Sequence, residues 1–421
     1  MAGDHRITFR KLIFWCHLTA GSIAGVVILT MCTTGVLLAY QRQRIHLAER
    51  RYRITPPAGA QPLALEALIE SARSVQASVP ASILWRSDPA EPVEIAFGRD
   101  QSLLLNRYTG AVLGGGALRT RAFFHNVEDA HRWLAFGLAN RAAGRTVTHA
   151  CNLAFLFLVC SGPFLWLPRT WSRASIKAGT LFNGNLTGKV RDFNWHNVIG
   201  IWCCIPLAVI VLCAVVMSYP WANNLVYRLT NNPPPPQNAA QLALGVAGNA
   251  QRGRSGASSS SISSSISWDG LDLLRRRAEQ RVEGWQTITL RLPAPSDPNA
   301  TFSIDSGAGG RPDKRAQLTL DRKTAAEVRW EPFSSNNCGR RLRLWIRFTH
   351  TGEAGGIAGQ TIAAVASLGG AFLVWTGLSL VLRRLRAKIA RRTPALETPA
   401  GNGLTFQPTR TETQGSENAS T

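Results

Sequence analysis

The sequence predicts a mostly α membrane protein: a bundle of four transmembrane helices carrying two small α+β domains outside the membrane. Three observations support this. Four runs of about 20 or more mostly apolar residues stand out, near 12–40, 147–167, 193–219 and 357–382, and each is long enough to cross a bilayer core. The basic residues behind the formal charge of +22 cluster beside those runs. The two halves also repeat: Phe157-Leu-Val-Cys-Ser-Gly162 matches Phe372-Leu-Val-Trp-Thr-Gly377, and Asn106-Arg-Tyr-Thr-Gly110 matches Asp321-Arg-Lys-Thr-Ala325 at the same offset.

The charge placement sets the orientation. Arg6, Arg10 and Lys11 precede the first run. Arg169, Arg173, Lys177, Lys189 and Arg191 fill the connection after the second, and Arg383, Arg384, Arg386 and Lys388 follow the fourth. With four crossings these segments share one side, and the positive-inside rule makes it the cytoplasm. This pattern argues against a nucleic-acid partner and for a lipid bilayer. It predicts a bacterial inner-membrane protein with both termini cytoplasmic and two long periplasmic connections. The first run is too long for a typical signal-peptide core and lacks a small-residue cleavage site, so it reads as a retained anchor. Of eight cysteines only Cys338 falls in an exported segment, which excludes a disulfide framework there.

In order, residues 1–40 form a basic tail and the first helix. Residues 41–130 form the first periplasmic domain, with a helix at 63–73 and strands near 92–97, 102–106 and 108–113, read from helical spacing and alternation. Residues 131–168 carry an interfacial helix, predicted over 128–146, and the second crossing. A cytoplasmic loop covers 169–192 and the third crossing 193–219. Residues 220–266 hold a flexible Pro/Ser-rich linker. The second periplasmic domain spans 267–349, with a helix from 268 and strands at 287–292, 300–304 and 316–320. The fourth crossing covers 350–388, and 389–421 is a polar, disordered cytoplasmic tail.

Histidines carry the chemistry. His17 and His196 each lie about one turn inside a crossing, where an ionisable group is costly and usually functional. Gly21 and Gly25 follow His17, and Gly200 follows His196, on the same helix faces. A flat ring held by the imidazole needs a bare helix surface at such positions. On the exported side His131 and His350 precede the second and fourth crossings in matching places. His149 competes with His131 on position, and His125 is weaker. Two imidazoles fill both axial positions of a haem iron, leaving electron transfer rather than oxygen chemistry. One pair near each surface, His17 with His196 and an exported pair, makes a two-step path through a core roughly 30 Å thick. The plainer alternative is interfacial histidines bonded to water or lipid.

The motifs together resemble the PepSY-associated transmembrane proteins, a group that includes iron-regulated inner-membrane proteins and ferric-siderophore reductases. They are Phe14-Trp-Cys-His-Leu-Thr-Ala-Gly21 with Thr33-Thr-Gly35, His131-Arg-Trp-Leu with Gly144-Arg145, Ser161-Gly-Pro-Phe-Leu-Trp-Leu-Pro168, Asn194-Trp-His-Asn-Val-Ile-Gly200 and His350-Thr-Gly-Glu-Ala-Gly-Gly356. The resemblance implies that the two small domains are PepSY-like. Tyr108-Thr-Gly-Ala-Val-Leu-Gly114 is the clearer mark, and Ala325-Ala326 departs from the pattern in the second. It implies b-type haem, two copies, with His17, His196, His131 and His350 as axial iron ligands and His149 ranked below His131.

The resemblance also implies reduction of a ferric siderophore or other ferric chelate in the periplasm during iron uptake. No G-x-G-x-x-G follows a strand, so a cytoplasmic reductase or membrane quinol supplies the electrons. Exported arginines, among them Arg99, Arg107, Arg121 and Arg132, are candidates to attract an acidic chelate. A second reading is a binding or regulatory protein, whose PepSY-like domains hold a peptidase or envelope protein without redox activity. A permease ranks last, because the crossings offer little polar pathway.

Overall fold

The computed structural model describes residues 9–98, 101–168, 170–234, 268–294 and 296–390. The N-terminal tail to residue 8, Arg99, Arg169, most of the expected linker and nearly all of the C-terminal tail lie outside the described residues. In the first half come α1 (Phe9–Leu38), α2 (Gln41–Glu49) and α3 (Leu65–Val75), then β1 (Ser82–Arg86), β2 (Val93–Ala96), β3 (Ser102–Leu105) and β4 (Val112–Gly114). Next are α4 (Leu118–Trp133), α5 (Arg141–Trp166), α6 (Arg173–Thr180), α7 (Gly188–Ser218) and α8 (Pro220–Leu229). The second half adds α9 (Leu271–Arg281), β5 (Thr287–Arg291), β6 (Asn299–Asp305), β7 (Arg315–Asp321), β8 (Glu327–Pro332), α10 (Cys338–His350) and α11 (Gly356–Ala390). Residues 382–390, the end of α11, belong to a unit of their own.

Four helices, α1, α5, α7 and α11, are long and apolar enough to cross a membrane. Each covers one of the expected runs. They share one core: Ala24, Ile28 and Cys32 of α1 meet Phe155 of α5, Leu207 and Val211 of α7, and Ala366 and Ala371 of α11. Small residues let α11 approach closely, as in membrane helix packing generally. A Cβ at Gly370 would lie 2.8 Å from the Cys32 sulfur, and one at Gly369 would collide with the Cys203 sulfur. Helix ends are tied by side chains. Arg10 donates to the carbonyls of Leu165 and Leu167 at 2.7 and 2.9 Å, satisfying the end of α5.

The single helix expected over 128–146 is instead two helices with a break. Leu134 and Ala135 take positive φ, 57° and 54°, and the chain turns before α5 begins. Three contacts hold this turn. The Trp133 indole and Arg141 both donate to Asp129, at 2.9 and 2.8 Å, and the Thr148 hydroxyl donates to the Arg132 carbonyl at 2.9 Å. Glycine is needed at 144 because a Cβ there would collide with the Trp133 carbonyl.

The strands form one antiparallel eight-stranded sheet, ordered β4-β3-β2-β1-β5-β6-β7-β8. The two segments expected as separate domains therefore join through β1 and β5, with Leu84 opposite Thr289 at the seam. Both sheet helices pack into one core, where Leu65, Leu68 and Ile69 of α3 and Leu271 and Leu274 of α9 meet Trp85, Ile288 and Phe302. The hydrophobic alternation of each half thus buries a single continuous face. The expected domain limits move as well. Position 130 falls inside α4, which packs on α1, and α10 reaches His350, so both helices belong with the bundle. Ahead of the expected linker the segment is helical: α8 packs on α10, and Asn223 accepts from Arg343 at 2.9 Å. Elsewhere Arg121 joins sheet to bundle by donating to Glu49 and Glu94 at 2.7 and 2.8 Å.

Candidate functional site

Two layers of histidine lie at opposite ends of the bundle. His17 of α1 and His196 of α7 stand at the end that carries α6, here termed the loop side. His131 of α4 and His350 of α10 stand at the end that carries the sheet. Thr34, which touches His131, lies seventeen positions after His17 along α1. At helical rise that is about 25 Å.

Each imidazole is anchored through Nδ1. His17 Nδ1 lies 2.8 Å from the Ser161 hydroxyl, His131 Nδ1 2.9 Å from that of Thr34, and His196 Nδ1 2.9 Å from that of Thr376. Each hydroxyl spends its own hydrogen on a carbonyl one turn back: Ser161 on Phe157 at 2.7 Å, Thr34 on Thr30 at 2.5 Å and Thr376 on Phe372 at 2.8 Å. The hydroxyl oxygen is then left to accept, so the proton of each ring sits on Nδ1. His350 Nδ1 donates to the Ile210 carbonyl at 2.9 Å, an acceptor only. No Nε2 of the four has a hydrogen-bond partner among the described residues. All four rings therefore present an Nε2 lone pair, the arrangement of metal-binding imidazoles, whose second N–H is held by a protein acceptor.

The anchors repeat with the halves. Ser161, Thr34 and Thr376 are each followed by glycine, and the glycine flanks the anchored ring. A Cβ at Gly162, Gly35 or Gly377 would lie 4.0, 3.6 or 3.5 Å from Cε1 of His17, His131 or His196. Ile210 follows Met31 by the same interval as His196 follows His17, and Cys213 stands where Thr34 does. Lacking the hydroxyl at that place, the fourth site uses the backbone carbonyl.

The structure brings His131 and His350 together: their ring centres are 6.3 Å apart, inclined at 55°. Burial pushes the His131 imidazole down to about 4, and the neighbouring His350 adds to this. Burial likewise lowers His350. Both rings are neutral at physiological pH. His17 lies close enough to His196 to bear on its charge. His149 joins neither pair, since its ring packs 5.7 Å from Tyr219. His125 faces Asp129 at 3.7 Å.

The bare surface expected beside Gly21, Gly25 and Gly200 is not found. Cβ atoms there would meet Leu158, Leu378 and Leu373 at 3.8, 3.4 and 3.6 Å, so leucines of neighbouring helices already cover these faces. Ser161, Thr34 and Thr376 lie within the sequence motifs, but their anchoring role shows only in the fold. The recurring hydroxyl–glycine pair was the signal available. Among the described residues no three His, Cys, Asp or Glu side chains gather as a metal cluster. The histidines come in twos.

A family model described as the PepSY-associated TM region matches residues 14–384. The chain belongs to this family. The match runs from just before His17 to beyond Thr376 and so spans both histidine layers and the whole sheet. The PepSY-associated chain is thus a membrane protein whose four apolar helices carry one joined sheet. Among curated proteins nothing matches it.

Proposed function

We propose that the protein is a di-haem b electron carrier of a bacterial inner membrane, reducing a ferric siderophore or similar ferric chelate in the periplasm. The observation that carries this reading is the set of four Nδ1-anchored imidazoles, two at each end of one bundle. A metal–imidazole bond is about 2.0 Å. Two imidazoles on opposite faces of one iron therefore have ring centres roughly 6 Å apart, and the His131–His350 spacing of 6.3 Å fits. Paired ligands without further protein donors suit a metal whose remaining positions a macrocycle fills. When bound, haem would supply a reversible one-electron site, and His17, His196, His131 and His350 are the residues that would hold it.

The chain's residues then divide the work. Ser161, Thr34, Thr376 and the Ile210 carbonyl fix each imidazole tautomer and raise its basicity. The apolar layer of Ile28, Phe155, Leu207 and Val211 between the two ends excludes water. The arginine- and lysine-rich loop side is cytoplasmic by the positive-inside rule. His17 and His196 are the entry pair, supplied by a cytoplasmic reductase or a quinol, and His131 and His350 the exit pair. Reduction loosens the chelate because hard oxygen ligands favour the ferric ion.

The direct test is colour. Purified protein is expected to be red, with a dithionite-reduced spectrum of six-coordinate b haem and two haems per chain. A folded, colourless preparation from haem-replete cells would sink the proposal and favour a binding role for the sheet. A finer test concerns the anchors. Thr376→Val keeps the shape but removes the acceptor for His196 Nδ1. Losing the hydrogen bond that orients a ligating imidazole costs about 10- to 100-fold in metal affinity. The variant is expected to lose the loop-side haem during detergent dialysis while keeping the sheet-side one. Equal retention of both would refute the anchoring role.

A further inference from the structure

On the sheet side, arginines surround the histidine pair. Arg132 adjoins His131, and Arg347 lies one turn before His350 on α10. Arg315, at the start of β7, reaches the same place. The Phe348 ring centre is 5.1 Å from the Arg315 guanidinium carbon and 5.8 Å from that of Arg347. The neighbouring acids are already committed. Glu128 holds Arg132 at 2.7 Å, Asp305 holds Arg315 at 3.0 Å, and Glu353 holds Arg42 at 3.3 Å.

Arg347 has no ion-pair partner among the described residues, yet Arg315, Glu353, Arg132 and Glu128 all lie near enough to bear on its charge. It is exposed. The cluster therefore keeps one positive charge in surplus, at the rim of the His131–His350 pair. Beside Arg315 a cleft of about 260 Å³ opens, lined in part by Lys314, Trp330, Phe333 and Ser334, and its one acid, Asp313, is taken by Arg311 at 2.7 Å.

We infer that Arg347, with Arg132 and Arg315 beside it, forms a carboxylate-binding shelf above the sheet-side histidine pair. A guanidinium presents a planar fork of donors that matches a carboxylate in bidentate fashion. An unmatched charge among committed ion pairs draws anions to that spot. Two carboxylate sources meet the same chemistry: an arm of an anionic ferric chelate, or the propionate of a haem held by His131 and His350. Both sources rest on the proposed function, the first through its substrate and the second through its cofactor.

The experiment uses the full-length protein in detergent and gallium(III) citrate, a redox-inert anionic chelate, so binding is read without electron transfer. Arg347→Gln and Arg347→Lys are compared with the parent, and the haem spectrum and sheet-side midpoint potential are recorded on the same samples. If the chelate is the occupant, Arg347→Gln weakens gallium citrate binding about tenfold and flattens its salt dependence. Arg347→Lys restores most of it, and the haem readings stay put. If a propionate is the occupant, Arg347→Gln lowers the sheet-side potential and leaves gallium citrate binding unchanged. No change in either reading overturns the shelf. Should the protein prove haem-free, the gallium citrate arm decides the shelf by itself while the redox proposal falls.

Discussion

His131→Ala is expected to halve the haem content and stop electron flow to an external ferric chelate, while the spectrum of the loop-side haem persists. His196→Ala should do the reverse, removing the loop-side haem and sparing the sheet-side one. The expectation follows from the layering. About 25 Å of helix separates the two levels, and each histidine is anchored within its own half, His17 by Ser161 and His196 by Thr376. If these pairs hold haem as proposed, losing one imidazole would weaken one site and leave the other pair's anchors intact. Haem per chain, measured as the pyridine complex, and dithionite-reduced spectra read the result. Loss of both haems from either single variant would mean that the layers are not independent. Loss of neither would remove these histidines from the ligand set. His149→Ala, by contrast, should leave both haems in place, since that ring packs on Tyr219.

Trp85→Ala is expected to destabilise the whole sheet by about 3–5 kcal/mol, the usual cost of deleting a buried large aromatic side chain. Trp85 is 1% exposed and packs edge-on against Phe302 at 6.4 Å. Its indole donates to Glu279 at 3.0 Å. The residue sits in β1, whereas Phe302 and Glu279 belong to the second half, so the cost falls on both. Hydrogen exchange is the suitable readout: protection should drop together in β1–β4 and β5–β8. A loss confined to β1–β4 would show two domains that merely touch, as the sequence alone implied.

Several elements were readable without coordinates because their signals are local. The helix at α3 and the strands β2, β5, β6 and β7 follow from spacing and alternation. Strand β8 escaped notice because Glu327-Val-Arg-Trp-Glu-Pro332 carries charges and ends in proline, the composition of an edge strand. Helix α10 escaped because its arginines dilute the apolar spacing of Leu342, Trp345 and Phe348. At the break the positive φ falls on Leu134 and Ala135 rather than on nearby Gly137, so the glycine does not mark where the chain turns. The break depends on Asp129, Arg141 and Thr148 closing around a turn.

By itself the sequence determined the four crossings, the loop-side charge bias and the duplication, because length, hydropathy and charge are properties of contiguous stretches. Tertiary structure decided that His131 rather than His149 faces His350, that hydroxyls set the imidazole tautomers, and that two segments close into one sheet. The physical reason is range. His17 meets Ser161 across 144 positions, His196 meets Thr376 across 180, and Trp85 meets Glu279 across 194. Contacts of that span arise only when helices and strands pack, and no local pattern encodes them.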